Sequence, residues 1–404
     1  MNIIIINSGS SSIKYQLFKM PSEQPICSGI AERIGLENAS ITHKVFGSEN
    51  KSVQINADLP NHESAMLEIE HLLTQPETGV IHDPSEIEIV GHRVVHGGES
   101  FSETTLITEE VKEQIKKLYP LAPLHNPGHY AGIVVAEKLF KNAVQIAVFD
   151  TAFHQTMPEK AFRYAIPNEY YKDLKIRSYG FHGTSHKYVA KQAADYLGKS
   201  NSKIITIHLG NGCSMSAVDD GKCIDTSMGL TPLDGLIMGT RSGQIDASVL
   251  LYIMKQKNYD VEQTDKLLNK ESGMLGLTGY SDMRDIKKAL ENGDESAKLA
   301  YDMYSYRIKK YIGSYAAALN GLDAIVFTAG VGENDSLTRE LVCKDLEFFG
   351  IEIDTDKNKQ RESGLREINS ANSRVKILVI PTNEELEIAN QCQVFLENHL
   401  AKKV

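Results

Sequence analysis

Three short segments rich in glycine, serine and asparagine have the composition to hold phosphate oxygens: Asn7-Ser8-Gly9-Ser10-Ser11-Ser12, His208-Leu209-Gly210-Asn211-Gly212 and Gly330-Val331-Gly332-Glu333-Asn334. Nucleotide chemistry needs backbone N–H donors and side chains small enough to let phosphate approach. Each segment follows an apolar run that reads as a buried strand, and open α/β sheets bind ligands at the carboxyl ends of their strands. None spells G-x-x-x-x-G-K-[ST], and none opens a strand–helix unit with G-x-G-x-x-G, so Walker-type and dinucleotide sites are disfavoured. One such segment alone is more simply a tight turn. Three at strand ends point to nucleotide phosphates.

Two arginines accompany them. Arg93 lies in Gly91-His92-Arg93-Val94-Val95-His96-Gly97-Gly98-Glu99, inside a strand-like stretch beside paired glycines. It reads either as a structural ion pair or as an anion-binding group. Arg241, in Met238-Gly239-Thr240-Arg241-Ser242-Gly243, is either a solvated loop charge or a substrate-binding cation. A guanidinium fork matches both a carboxylate and a phosphoryl group, so the pair suits either anion. Lys14 is either a solvated edge-strand lysine or a cation near transferring phosphates. Asp150 ends the apolar run Val148-Phe149 and could cap a helix, position a nucleophile, act as a base or help hold Mg2+.

The histidines sort differently. His182, in Tyr179-Gly180-Phe181-His182-Gly183-Thr184-Ser185-His186, precedes a helix and is placed to touch an anion or to cap. His92/His96 and His125/His129 have the i, i+4 spacing of a helical metal pair. The first pair is in a strand-like segment, and the second is split by Asn126-Pro127-Gly128, which reads as a helix break, so zinc is disfavoured.

The elements that must position these groups form an α/β pattern in two lobes. Asn2 to Ile6 is apolar after its first residue, as for a strand buried on both faces, and Ile13 to Phe18 alternates, giving a hairpin. The same grammar returns at Lys203 to Ile207, Cys213 to Val218 and Lys222 to Thr226, about half the chain later, which reads as a duplicated phosphate-handling hairpin. Strands are expected at Ile87–Val95, Ala143–Phe149, Ala324–Thr328 and Lys376–Ile380. Helices are expected at Glu109–Leu118, Tyr130–Phe140, His186–Leu197, Asp260–Asn269, Asp282–Glu291 and Glu384–Leu400, with a long one from Asp294 to Leu319 ended by Asn320-Gly321. Gln54 to Pro84 is the least readable region.

Composition bounds the partners. The 404 residues suggest two or three domains, and 41% hydrophobic with 24% charged residues is ordinary for a globular protein. A net charge of −10 argues against nucleic acid and against an anionic membrane surface. Five cysteines without C-x-x-C spacing fit a reducing cytoplasm better than a disulfide framework or a zinc site. The apolar run Ile3 to Ile6 is too short for a signal-peptide core, and no stretch approaches the roughly 18 apolar residues of a membrane helix.

Taken in order, the motifs closely resemble those of the acetate kinases over essentially the whole chain. They are Asn7 to Lys14, Gly91 to Glu99, Leu124-His125-Asn126-Pro127, Phe149 to His154, Tyr179 to His186, His208 to Gly212, Thr226 to Pro232, Met238 to Arg241, Phe327 to Asn334 and Pro381 to Glu385. The resemblance implies the two-domain actin-like ATPase fold of acetate and sugar kinases, with a duplicated βββαβαβα core enclosing a nucleotide cleft. Residues 1–150 would form the N-terminal domain, completed by the C-terminal helix 385–404, and residues 151–384 the nucleotide-binding domain.

It further implies reversible phosphoryl transfer from ATP to acetate. Asn7 and Glu384 would lie at the Mg2+ site, which Mn2+ can also fill. Arg93 and Arg241 would bind the carboxylate and the phosphoryl group, and Asp150 would be the catalytic carboxylate. His125 and His182 would contact the phosphoryl group. Val95, Leu124, Phe181 and Pro232 would form the methyl pocket. Lys14, His208, Leu209, Gly210, Asn211, Gly212, Asp282, Met283, Arg284, Gly330, Val331, Gly332, Glu333 and Asn334 would serve ATP or ADP. A cytoplasmic homodimer is implied.

The chain departs from the family pattern at Ser8, Gly128-His129, Gln244 and Ala247, none of them a charged group with an assigned role. A propionate or butyrate kinase is the near alternative. A non-kinase actin-like ATPase is a different class, with no use for two arginines and an apolar pocket. A sugar kinase would need a set of hydroxyl-binding residues that the sequence does not display.

Overall fold

A computed structural model describes residues 1–48 and 50–401. The chain divides into two compact units, Met1–Ala152 with the segment from Asn383, and Phe153–Thr382. Glu384 thus falls in the first unit.

The first unit is built on one sheet. Its strands are β1 (Asn2–Ser8), β2 (Ser12–Lys19), β3 (Pro25–Glu32), β4 (Ser40–Val45), β5 (Lys51–Asn56), β6 (Ile89–Val94), β7 (Thr105–Leu106) and β8 (Val144–Phe149), in the spatial order β5-β4-β3-β2-β1-β6-β8-β7. β1 pairs antiparallel with β2 and parallel with β6, and β6 parallel with β8. The unbroken apolar run of β1 follows from two covered faces. Ile4 and Ile6 join the cluster of Val135 and Ala136 from the helix Asn126–Leu139, while Ile5 faces Ile388 and Cys392 of the helix Glu384–Ala401 across Gly91.

The second unit repeats the plan. Strands β9 (Lys203–Leu209), β10 (Cys213–Asp219), β11 (Lys222–Thr226), β12 (Ala324–Thr328), β13 (Arg366–Glu367) and β14 (Lys376–Val379) are ordered β11-β10-β9-β12-β14-β13. β9 and β12 are parallel, as are β12 and β14, while β10 runs antiparallel to both β9 and β11. Hence β3-β2-β1-β6-β8 and β11-β10-β9-β12-β14 share one topology, each closed by a short antiparallel edge strand, β7 or β13. The duplication expected from the two hairpins extends to the whole core. The long helix Glu295–Leu319 starts where the Asp294 side chain accepts from Ser296 N and Ala297 N, and stops at left-handed Asn320, φ 51°.

Two expectations need correction, and one unread region is filled in. The helix after His125 begins at Asn126, not beyond Gly128, because proline is tolerated in a first turn where its missing N–H has no helical acceptor. The segment after β12 is a helical turn, Ala329–Asn334, and not an open loop. The unreadable region holds the end of β5 and the helix His62–Thr74, whose Asn61 and Ser64 form a capping box.

Gly91 fixes how closely the last helix approaches β6. A Cβ there would lie 2.7 Å from Ile5 Cδ1, 2.9 Å from Cys392 Sγ and 3.1 Å from Ile388 Cγ2, all inside packed core. Gly91→Ala is therefore expected to cost about 1–3 kcal/mol through overpacking. Thermal melting should show a drop of several degrees, and an unchanged midpoint would mean that the helix yields freely.

Candidate active site

The charged groups of the first unit gather at the carboxyl ends of its parallel strands. Arg93 is on β6, and Asp150 directly follows β8, held by its own N–H donating to Val94 O at 2.9 Å. In register Arg93 faces Val148, so Asp150, two residues on, points to the same side of the sheet. The guanidinium closes a two-pronged pair: Nη2 donates to Asp150 Oδ2 at 2.6 Å and Nε to Asp150 Oδ1 at 3.1 Å. Glu384 Oε2, on the first residue of the last helix, lies 3.8 Å from Arg93 Nε. Asp150 is buried, and the Arg93 and Glu384 side chains retain 21% and 23% of their exposure, enough for a ligand to reach both.

Burial pushes the Glu384 carboxyl up to about 7, with Asp150 and Glu385 adding to the rise and Arg93 opposing it. The Arg93 guanidinium is raised instead, because the carboxylates around it outweigh its own desolvation. Half-buried Asn7 is the next-to-last residue of β1, in register with exposed Lys14 on β2, which also bears on Glu384 electrostatically. Asn7 and Glu384 offer hard oxygen donors. Among the described residues no cluster of three or more His, Cys, Asp or Glu could hold a metal ion, so a cation here would take its other ligands from water and phosphate.

Half-buried His125 occupies the position just before the helix Asn126–Leu139, without a side-chain capping bond. Asn126 locks that helix start in place, its amide donating to His96 O and accepting from His96 N, both at 3.1 Å. Val95 is buried and Leu124 is 66% exposed.

In the second unit a cavity of about 680 Å³ opens at the ends of β9 and β12, lined by Gly210, Asn211, Asp282, Met283, Arg284, Gly330, Val331 and Asn334. These are residues the sequence assigned to nucleotide. Asp282 caps its helix and takes the Arg284 guanidinium, which lowers the carboxyl to about 2. A Cβ at Gly239 would stand 2.2 Å from Asn211 Oδ1 and 3.0 Å from Ser281 O, so a side chain there would displace the Asn211 amide. His208, Leu209, Gly212, Gly332 and Glu333 do not line the cavity. His208 and Leu209 are buried supports below it, and Lys14 belongs to the first unit.

Sequence reading missed Lys287, Asp335 and Arg361, which also line the cavity, and Arg339 behind it. Arg339 is 1% exposed and directs Nη1 to Gly332 O at 2.8 Å and Glu333 O at 3.0 Å, with Nε and Nη2 on Asn358. It fixes the helical turn that carries Gly330 and Asn334. Its only sequence signal, an arginine seven residues past a glycine turn, is too common to be read.

His182 and Arg241 converge over Gly212. A Cβ built at Gly212 would lie 3.4 Å from His182 Nε2 and 3.9 Å from Arg241 Nη1. His182 is left-handed, φ 55°, a costly backbone state for a residue with a side chain and one that recurs at functional sites. Its ring stacks on His208 at 4.2 Å, and its Nδ1 is 2.8 Å from Ser214 Oγ. Arg241 Nη1 donates to Pro232 O at 3.3 Å, and burial lowers the Arg241 guanidinium. Phe181 is buried and Pro232 half-buried.

The raised Glu384 carboxyl makes stability depend on pH in a defined direction. Between its ordinary 4.5 and about 7 the folded state binds the extra proton, so stability is full below the lower value and falls as pH rises through the upper one. Glu384→Gln is expected to remove a slope of at most about 1.4 kcal/mol per pH unit in that window. Melts of both proteins from pH 4.5 to 8 check it, and parallel curves would refute the shift.

The family model described as the acetokinase family matches residues 2–390. Acetate kinase of Flavobacterium johnsoniae is 59% identical over 398 residues, 98% of this chain and all of that one. Acetate kinase of Thermotoga maritima is 55% identical over 402 residues, 98% of this chain and 99% of the relative. Among solved structures, Porphyromonas gingivalis acetate kinase superposes with a TM-score of 0.93 at 44% identity, covering 98% of this chain and 99% of that one. A propionate kinase from Francisella tularensis gives 0.90 at 44% identity, covering 96% and 98%. With the family model spanning nearly its full length and relatives above 50% identity, the chain belongs to the acetokinase family.

Proposed function

We propose that the chain catalyses reversible transfer of the γ-phosphoryl group of ATP to acetate, giving acetyl phosphate and ADP by direct in-line displacement. The observation that carries this reading is the convergence of His182 Nε2 and Arg241 Nη1 over Gly212 in the unit that holds the nucleotide-sized cavity. Two donors placed over a phosphate loop supply what phosphoryl transfer asks of protein, which is positioning and neutralisation of charge on the equatorial oxygens.

An acetate oxygen attacks phosphorus, the bond to the bridging oxygen breaks, and its electron pair leaves with ADP. The nucleophile is already a carboxylate, so no strong base is required. Asp150, with both oxygens engaged by Arg93, orients that guanidinium and does not take a proton. Arg93 keeps its remaining N–H edge for an anion. His125 and His182 contact the transferring group, and Val95, Leu124, Phe181 and Pro232 receive the methyl. The cavity residues, with Lys14, His208, Leu209, Gly212, Gly332 and Glu333 as further contacts or supports, serve the nucleotide.

Asn7 and Glu384 fit Mg2+, or Mn2+ in its place, because a small hard cation takes one or two protein oxygens and otherwise water and phosphate. When bound, the cation would neutralise phosphate charge. The propionate reading survives on one observation: solved relatives named for each acid are equally identical to the chain. One methylene is worth only about 1–3 kcal/mol, so activity on both acids is expected.

The five cysteines are all free and buried, which supports a cytoplasmic location. No helix among the described residues is long and apolar enough to cross a membrane. The homodimer rests on exposed apolar stripes. The helix Ala247–Lys257 buries nothing and exposes Val249, Leu251 and Tyr252, and the helix Glu295–Leu319 exposes Leu299, Met303 and Tyr306 at i, i+4, i+7. The long helix also ties down the segment that leads into Ala247–Lys257, since Arg307 Nη1 donates to Gln244 O at 3.1 Å. Leu251→Glu is expected to halve the mass measured by light scattering; an unchanged mass would place the interface elsewhere.

The decisive assay is ADP release with Mg-ATP and acetate, propionate or butyrate, trapping the acyl phosphate with hydroxylamine. Acetate-dependent hydroxamate is expected, with Arg241→Ala lowering kcat by about 10²–10³ while nucleotide binding stays near wild type. Nucleotide turnover indifferent to carboxylates would sink the kinase reading, and full turnover in Arg241→Ala would remove that residue from it.

A further inference from the structure

Behind His182 runs a buried line of polar groups that none of the roles above uses. Ser214 Oγ lies 2.8 Å from His182 Nδ1 and 2.7 Å from His186 Nε2. His186 Nδ1 in turn lies 2.7 Å from Thr206 Oγ1. Ser214, His186 and Thr206 are fully buried, so every proton in the line needs an acceptor.

The protons can be counted. Burial beside His154 and His208 keeps His186 neutral, so it carries one N–H. Ser214 has one O–H, and among the described residues its oxygen meets only these two ring nitrogens, so its buried proton goes to one of them and the other donates to it. The line is therefore one-way, and only two directions exist. In one, Thr206 donates to His186 Nδ1, His186 Nε2–H donates to Ser214, and Ser214 donates to His182 Nδ1, which leaves the His182 proton on Nε2. In the other every bond reverses, and the Thr206 hydroxyl must find a different acceptor. The one within reach is Ser216 O at 3.5 Å, the far limit of a hydrogen bond. The first direction uses each proton at 2.7–2.8 Å.

We infer that Thr206, His186 and Ser214 form a relay of positioning residues that holds His182 in the Nε2–H tautomer, so that it presents a donor, and not a lone pair, over Gly212. This deepens the proposed function and rests on its assignment of His182 to the transferring phosphoryl group. A bare nitrogen lone pair would repel phosphoryl oxygens, whereas an N–H fixed from behind is a donor that needs no reorganisation when charge develops. Thr206 is the head of the line and never touches His182, yet it decides where the His182 proton resides.

The test is two-bond 1H–15N correlation of the histidine rings, with kinetics alongside. The wild-type protein should show His182 as the Nε2–H tautomer. Thr206→Val removes the hydroxyl with little change of shape and should populate the Nδ1–H form of His182. It should also lower kcat by about tenfold, less than the roughly 10²–10³ of losing a preorganised donor outright, with the KM for ATP unchanged. Ser214→Ala should do the same and serves if the valine variant folds poorly, and Thr206→Ser, which restores the hydroxyl, should return both readouts. A wild-type His182 in the Nδ1–H form overturns the relay, as does a His182 spectrum unmoved by Thr206→Val. A tautomer shift with kcat intact would uphold the relay and remove His182 from the chemistry.

Discussion

A guanidinium withdrawn from water must be met by carboxylates or by a full set of acceptors, and the first unit is arranged around meeting that demand at Arg93. Arg93 sits one residue before the end of β6, and only a parallel neighbour in one register can bring Asp150 under its Nε and Nη2. A slip of one residue would send the carboxylate to the other face of the sheet. The same demand reaches the end of the chain. Glu384 opens a helix packed against β1 and β6, and that packing depends on the bare backbone at Gly91. Breaking such a pair strands a charge, which is why a small part of the site governs so much of the fold.

The second unit meets a similar demand differently. Arg339 is buried and forms no salt bridge among the described residues, and carbonyl oxygens of Gly332, Glu333 and Asn358 with the Asn358 side chain take its donors. The two guanidinium groups respond in opposite senses. Arg93 is raised by its carboxylates, and Arg339 is lowered to about 10 by burial, with the charge of Arg366 adding to the drop and Asp335 opposing it. One arrangement leaves a cation poised for an anion. The other engages four of its five N–H groups and serves as a rigid peg for the helical turn beneath the nucleotide cavity. Duplication supplied one strand order twice, and side-chain chemistry then made one copy a charged cradle and the other a lattice of backbone and hydroxyl donors.

That second style explains why so many buried hydroxyls lie near β9 and β10. Ser185, Thr206, Ser214 and Ser216 each carry one proton that must go to an acceptor, so their hydrogen bonds can order the histidines His182, His186 and His208 without adding charge. The left-handed backbone of His182 is held by the same surroundings, with Ser214 at one side of the ring and His208 stacked on it.

The hairpins β1–β2 and β9–β10, the parallel strands after them and the long capped helix were legible in sequence because their periodicity and caps are local. The motif residues were legible because their types are chemically restricted. What was not legible has a physical cause in each case. Strands β3 and β4 carry small or polar inward residues such as Cys27, Ala31 and His43, since the ring of Tyr15 fills the space over Gly29, so no alternation announces them. Pro127 reads as a breaker unless one knows that it sits in a first turn. Arg339 and Lys287 lie only seven and three residues past Gly332 and Arg284, but nothing in their spacing shows which way they face, and Arg361 is remote in sequence from the cavity residues it flanks. The sequence by itself thus determined the chemical groups and the elements that bear them, because residue type and local spacing are properties of the chain. Which arginine is a cradle and which a peg, and which way the protons of a hydroxyl line must point, was decided only by tertiary packing, because burial and the choice of partner exist only once distant segments meet.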